Sequence, residues 1–150
     1  MAYISTTELS QRLGATLYAR LTDRVNGTTA DEAVAQQLIS AAEAEADGYF
    51  ARRYATPVDL AVYPELAQVL NARVLDVAEY LAWCGSPFIG NPPQRVQALY
   101  AAALRWLEDV AGGRLVLPAA RPPPSAVAHA DEPRQVSSAR VLTADELDGL

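Results

Sequence analysis

The chain contains no lysine, and cysteine, histidine and methionine occur once each among its 150 residues. Each shortage removes a class of function. With Cys84 alone, no internal disulfide can form, and the residue reads as a small buried apolar side chain. The one histidine, His129, lies in a Pro-rich stretch far along the chain from Cys84, so a paired catalytic thiol is not expected. There is no cluster of cysteines and histidines, no Gly-rich phosphate loop and no nucleophile motif. An enzyme is therefore not expected, nor is a metal or cofactor. No apolar run approaches the ~20 residues that cross a bilayer. The opening MAYISTTELSQ lacks the charged start and apolar core of a signal peptide. Together these features predict a soluble chain made inside a cell, with no membrane partner. All 12 basic residues are arginine, which, with abundant alanine, points to a G+C-rich coding genome. The net charge of −6 argues against a general electrostatic grip on nucleic acid.

What is present is a globular composition, 51% apolar and 20% charged, in a length that suits one domain. Its patterning is helical. STTE at Ser5–Glu8 is a capping box, Leu9 and Leu13 follow on one face, and Gly14 is a natural stop. A second short helix is expected over Ala15–Leu21, ending at the turn signal Asn26-Gly27. Thr29 and Glu32 form another capping box, opening a long helix to about Tyr54. Its inner stripe is Val34, Leu38, Ala41, Ala42, Ala46, Tyr49 and Phe50. Pro64 suits the first turn of a further helix, running to about Trp83 with Leu66, Leu70, Val74, Val77, Ala78 and Leu81 inward. Asn91, with Pro92 following, is expected to cap the last long helix. Val96, Leu99, Tyr100, Ala103, Trp106, Leu107 and Val110 mark its buried face, and Gly112-Gly113 stops it.

These elements predict an all-α fold: a compact bundle of three long helices, short N-terminal helices and an extended C-terminal arm. The domain boundary is placed between residues 117 and 118. RLVL at 114–117 reads as a short extended segment. Five prolines beyond it disfavour regular structure. Yet the chain closes on ARVLTADELDGL, which regains apolar residues and a capping pattern. Val141, Leu142, Leu147 and Leu150 are its candidate anchors on a partner, the alternative being an arm that folds back on its own bundle. ARVL can add as a strand to an exposed edge, and Thr143 with Glu146 can cap a last turn.

On the first long helix, Glu43, Glu45, Asp47, Arg52 and Arg53 are expected on the outward face. Glu43 and Asp47 sit one turn apart, a spacing that can hold a divalent ion or perform acid–base work, but a solvated surface is the more ordinary reading. Arg52 and Arg53 suit salt bridges with local acids or with a neighbouring subunit. Tyr3, just before the first helix, either packs outward or staples that helix down.

Taken together, MAYISTTELSQRLG, LTDR, AEAEADGYFARRYATPV, ALRWLEDVAGGRLVL and ARVLTADELDGL, in this order and spacing, resemble the gp36-type family of Mu-like phages and prophages. That family looks like the small helical head–tail connectors of tailed phages. The resemblance implies a structural virion protein, an adaptor in the neck between capsid and tail. It would form a ring with copies of itself, commonly twelve, below the portal protein and above tail-side neck or tail-terminator proteins. DNA would pass through without sequence-specific binding, during packaging and ejection. Glu43, Glu45 and Asp47 are then candidates for a phosphate-repelling channel lining, and Arg52 and Arg53 for bridges between subunits. The alternative is a helical scaffold or regulatory binding protein that acts in phage assembly and leaves the particle.

Overall fold

In a computed structural model, which describes residues 2–119, the chain is all-helical. α1 (Thr6–Leu13) and α2 (Ala15–Thr22) share a single glycine as terminator and start. Ser5 and Glu8 make the reciprocal capping box, with Ser5 Oγ accepting from the Glu8 amide and Glu8 Oε2 accepting from the Ser5 amide at 2.7 Å. Gly14 has φ +78° with an extended ψ, a conformation that side chains with a Cβ avoid. The chain can therefore turn sharply from one short helix into the next.

α3 (Glu32–Phe50), α4 (Ala67–Gly85) and α5 (Gln94–Ala111) form the body. The sequence AEAEA of α3 places Ala42 and Ala46 inward, with Ala35 and Ile39 a turn or two earlier. Small side chains on that stripe allow α4 to approach closely, and α4 packs against every other helix. Its own inward face is Leu70, Val74, Val77 and Ala78. α5 contributes Val96, Ala103, Leu107 and Val110 to the same core. Phe50 fills the centre of one end, edge-on to both Tyr3 and Trp106. Each large side chain buried there contributes roughly 1.5–3 kcal/mol.

Several boundaries differ from the sequence expectation, each for a tertiary or steric reason. α3 is capped by Asp31, whose side chain accepts from the Ala33 and Val34 amides, and not by Thr29. The Thr29 amide is already bound to the Asp23 carboxylate, so the chain is still wrapping that residue when it passes position 29. α3 ends at Phe50 and continues to Tyr54 as turns. The Pro64 region is a 3-10 turn, Pro64–Leu66, leading into α4. α5 starts at Gln94 with Pro93 as its cap, two residues later than the Asn91 expectation. Pro92 precedes another proline, and a residue before proline is driven out of the helical region.

Residues 114–117 form no strand. Leu117 is instead buried, and its amide donates to the Tyr54 hydroxyl at 2.8 Å. Cys84 is exposed, contrary to the expected buried thiol. It lies two residues past buried Ala82, about 200° around the helix and so on the opposite side. Among the described residues, no helix is long and apolar enough to cross a membrane.

Candidate functional site

The N-terminal segment is bolted to the body through one face of α3. The Tyr3 and Ile4 amides both donate to Glu43 Oε1, at 2.6 and 3.3 Å. The Tyr3 hydroxyl donates to Asp47 Oδ1 and accepts from the Val58 amide. Asn71 on α4 donates to Glu8 at 2.6 Å. Burial and then the Asp47 hydrogen bond push the Tyr3 phenol well above its ordinary range. Burial likewise raises the Asp47 carboxyl, only partly offset by the Tyr3 hydroxyl. Tyr3 thus staples inward. The wholly outward acidic face expected of α3 is corrected: Glu43, Glu45 and Asp47 are half-buried, and Glu45 accepts from the Tyr100 hydroxyl.

Arg52 and Arg53 follow α3 directly. Arg52 lies 5.9 Å from the Tyr49 ring centroid, a cation–π contact. The Arg53 guanidinium passes over Gly113, so closely that a Cβ there would overlap it. Neither arginine makes an ion pair with an acid among the described residues. Tyr80 of α4 and Tyr100 of α5 stack at 4.0 Å between centroids, near-parallel.

A second cluster was not anticipated. Asp76 and Glu79 of α4 are buried, and Arg12 of α1 bridges them at 2.5 and 2.7 Å. Arg95, at the start of α5, reaches Glu79 at 3.0 Å, and Arg73 approaches Asp76. The signal was present in the sequence, since two carboxylates interrupt the apolar run VLDVAEYLAW on its inward side. Their partner, however, lies more than sixty residues away.

The LTDRVNGTTAD segment also resolves into a built feature. The Asp23 carboxylate accepts from four backbone amides, those of Val25, Asn26, Thr28 and Thr29, at 2.8–3.1 Å. These bonds, Asn26's foremost, hold it far below the usual carboxylate range. Thr22 Oγ1 accepts from the Asp31 amide. A loop of this shape is an anion-binding nest, and here its occupant is the chain's own aspartate. Gly27, at φ +68°, leaves room for the Phe88 ring, which packs on it while remaining 41% exposed. Beside this loop, α2 and residues Gly27 and Thr28 border an open groove of about 410 Å³. The α2 residues that line it are Ala15, Thr16, Ala19 and Arg20.

This arrangement is a rigid, internally braced helical unit with an accessible end. A match to known sequence families decides what kind of protein it is: residues 3–136 fit the family model described as Bacteriophage Mu, Gp36. The chain belongs to that family. A comparison with curated proteins finds no match. The arm anchors Val141, Leu142, Leu147 and Leu150 lie outside the described residues.

Proposed function

We propose that this Mu Gp36 family member is a structural protein of the phage neck, an adaptor that forms a ring below the portal and joins the capsid to the tail. The observation that carries the reading is the family match over residues 3–136. It makes this a phage-family protein and supports a virion-associated role. The internal bracing supports the reading in a second way. A ring component must keep its shape while it is loaded from two sides. Tyr3 and Arg12 cross-link distant parts of the chain and Asp23 fastens the loop before α3, so the unit can meet its neighbours without rearranging.

The proposal extends to the partners. Portal protein lies on one side, tail-side neck or terminator proteins on the other, and copies of the chain lie around the ring. DNA passes through the centre without sequence-specific contacts. Glu43, Glu45 and Asp47 are proposed to contribute to the acidic character of the channel while bracing the subunit, and Arg52 and Arg53 to bridge subunits. The bidentate geometry of arginine suits them to that task.

The test is location and consequence together. Purified particles should contain the chain in stoichiometric amount with the portal, and labelled antibody should decorate the neck. Phage carrying a stop codon at Pro118 should accumulate filled heads and free tails. Absence of the chain from purified particles overturns the adaptor reading in favour of an assembly factor that departs.

A further inference from the structure

We propose that the groove on α2 is the docking site for the C-terminal segment 141–150 of an adjacent copy, so that subunits link head to tail. The inference rests on the adaptor reading and gives the arm an address.

Three observations converge. The first is the groove itself, an open depression floored by Ala15, Ala19 and Gly27, with the exposed Phe88 ring packed on Gly27 beside it. Small residues admit another chain closely, and the wall is rigid because Asp23 ties the adjoining loop through four amides.

The second is charge. Among the described residues, Arg20 is the only charged residue lining the groove. Residues 141–150, VLTADELDGL, hold three acids and no base, interleaved with four large apolar side chains. An acidic and apolar strip is therefore complementary to a small-residue groove edged by the Arg20 guanidinium, and such complementarity steers and orients docking.

The third is position. The chain leaves the body at Leu117, held by Tyr54, and Ala119 lies beside Val58 and Tyr63. That is the C-terminal end of α3. The groove lies beside the loop that leads into the N-terminal end of α3. The 19-residue α3 separates them by about 28 Å. The Pro-rich stretch 118–138 reaches about 60 Å when extended. That reach exceeds the span to the chain's own groove and leaves length to spare for a neighbour's. Donor and acceptor at opposite ends make a heterologous contact, the kind that closes into rings.

The probe is a fluorescent peptide of residues 139–150, titrated with full-length chain bearing Leu147→Asp and Leu150→Asp so that its own arm does not compete. Saturable binding is expected. Arg20→Glu should weaken it about tenfold, Arg20→Lys should retain most of it, and Thr16→Trp, at an exposed position, should block it. No binding, or binding indifferent to both Arg20→Glu and Thr16→Trp, overturns the site. Direction is read separately. Full-length chain with Thr16→Cys and Gly149→Cys, in a Cys84→Ser background, should give covalent dimers and higher species on oxidation. Closed monomers overturn the neighbour assignment. If the peptide fails to bind while the Pro118 stop still prevents heads from joining tails, the adaptor reading stands and this docking address alone is wrong.

Discussion

The Tyr3 hydroxyl sits 2.5 Å from Asp47 Oδ1 and joins residues 44 apart in the sequence. The same oxygen accepts the buried Val58 amide, so a single phenol ties the N-terminus, α3 and the loop after α3 together. Tyr3→Phe keeps the ring and its edge contact with Phe50 but leaves a buried amide and a half-buried carboxylate unpaired. An unsatisfied buried group costs about 1–3 kcal/mol. Urea unfolding of the variant should show a loss of that size with an unchanged slope. A loss near zero would mean that water replaces the phenol freely.

The Arg12 cluster predicts an asymmetry between breaking and removing a charge network. Asp76 and Glu79 are buried, and Arg12 is the residue that bridges both. Arg12→Ala leaves Asp76 with only the longer Arg73 contact and Glu79 with only the solvent-exposed Arg95, and should destabilise by about 3 kcal/mol. The triple variant Arg12→Met, Asp76→Leu, Glu79→Leu replaces charge with packing and should recover most of that loss. Arg95→Ala should cost less than about 1 kcal/mol, because Arg95 is largely in solvent. Thermal melts of the four proteins at one pH check the order.

Two glycines share a positive φ and differ by surroundings. Gly14 and Gly113 both have positive φ, at 78° and 76°. A Cβ on Gly14 meets nothing, whereas one on Gly113 meets the Arg53 guanidinium. Alanine at either position is strained by its backbone, by about 1–2 kcal/mol. Only Gly113→Ala should be partly relieved by a second change, Arg53→Ala. A double-mutant cycle measures that coupling. Equal effects of Arg53→Ala on both glycine variants would show that Arg53 does not occupy the space over Gly113.

How far the sequence could be read depended on the range of the interaction. The Ser5–Glu8 box and the Gly14 stop involve neighbours within one turn, and both are found where the spacing put them. The inward stripe of α4 follows from 3.6-residue periodicity and also holds. The start of α3 did not follow from local pattern. Thr29-Glu32 satisfies the capping signature, but the Thr29 amide is claimed by Asp23, six residues earlier. The bracing by Asp47 and by Asp76 with Glu79 was hidden for the same reason at longer range. An acid on a helix reads as a surface group until the chain that covers it is known. Tyr3 and Arg12 are those covers, and nothing in their local sequence names the partner. The groove on α2 is less legible still, because it is made by alanines and a glycine whose only local message is helix and turn.

The pH dependence of stability should carry the mark of two aspartates shifted in opposite directions. Four amides lower Asp23 from its ordinary 3.8. The folded state therefore binds fewer protons there than the unfolded chain, and the stability it contributes is fully present above about pH 4 and lost as the pH falls through the folded value. Asp47 is raised by burial. The folded state holds its proton more tightly, so that contribution is present below 3.8 and declines as the pH rises through the raised value. Asp23→Asn keeps one acceptor oxygen but loses the charge and two of the four lone-pair contacts. Its melting temperature at neutral pH should drop by several degrees, and its acid limb should flatten, so that the gap to wild type closes between pH 4 and pH 2. Asp47→Asn should do the reverse, gaining on wild type as the pH rises from 4 to 7. Melting curves across pH 2–8 decide it. A gap for Asp23→Asn that stays constant down to pH 2 would mean that the loop is held by its turns and glycine rather than by the carboxylate at its centre.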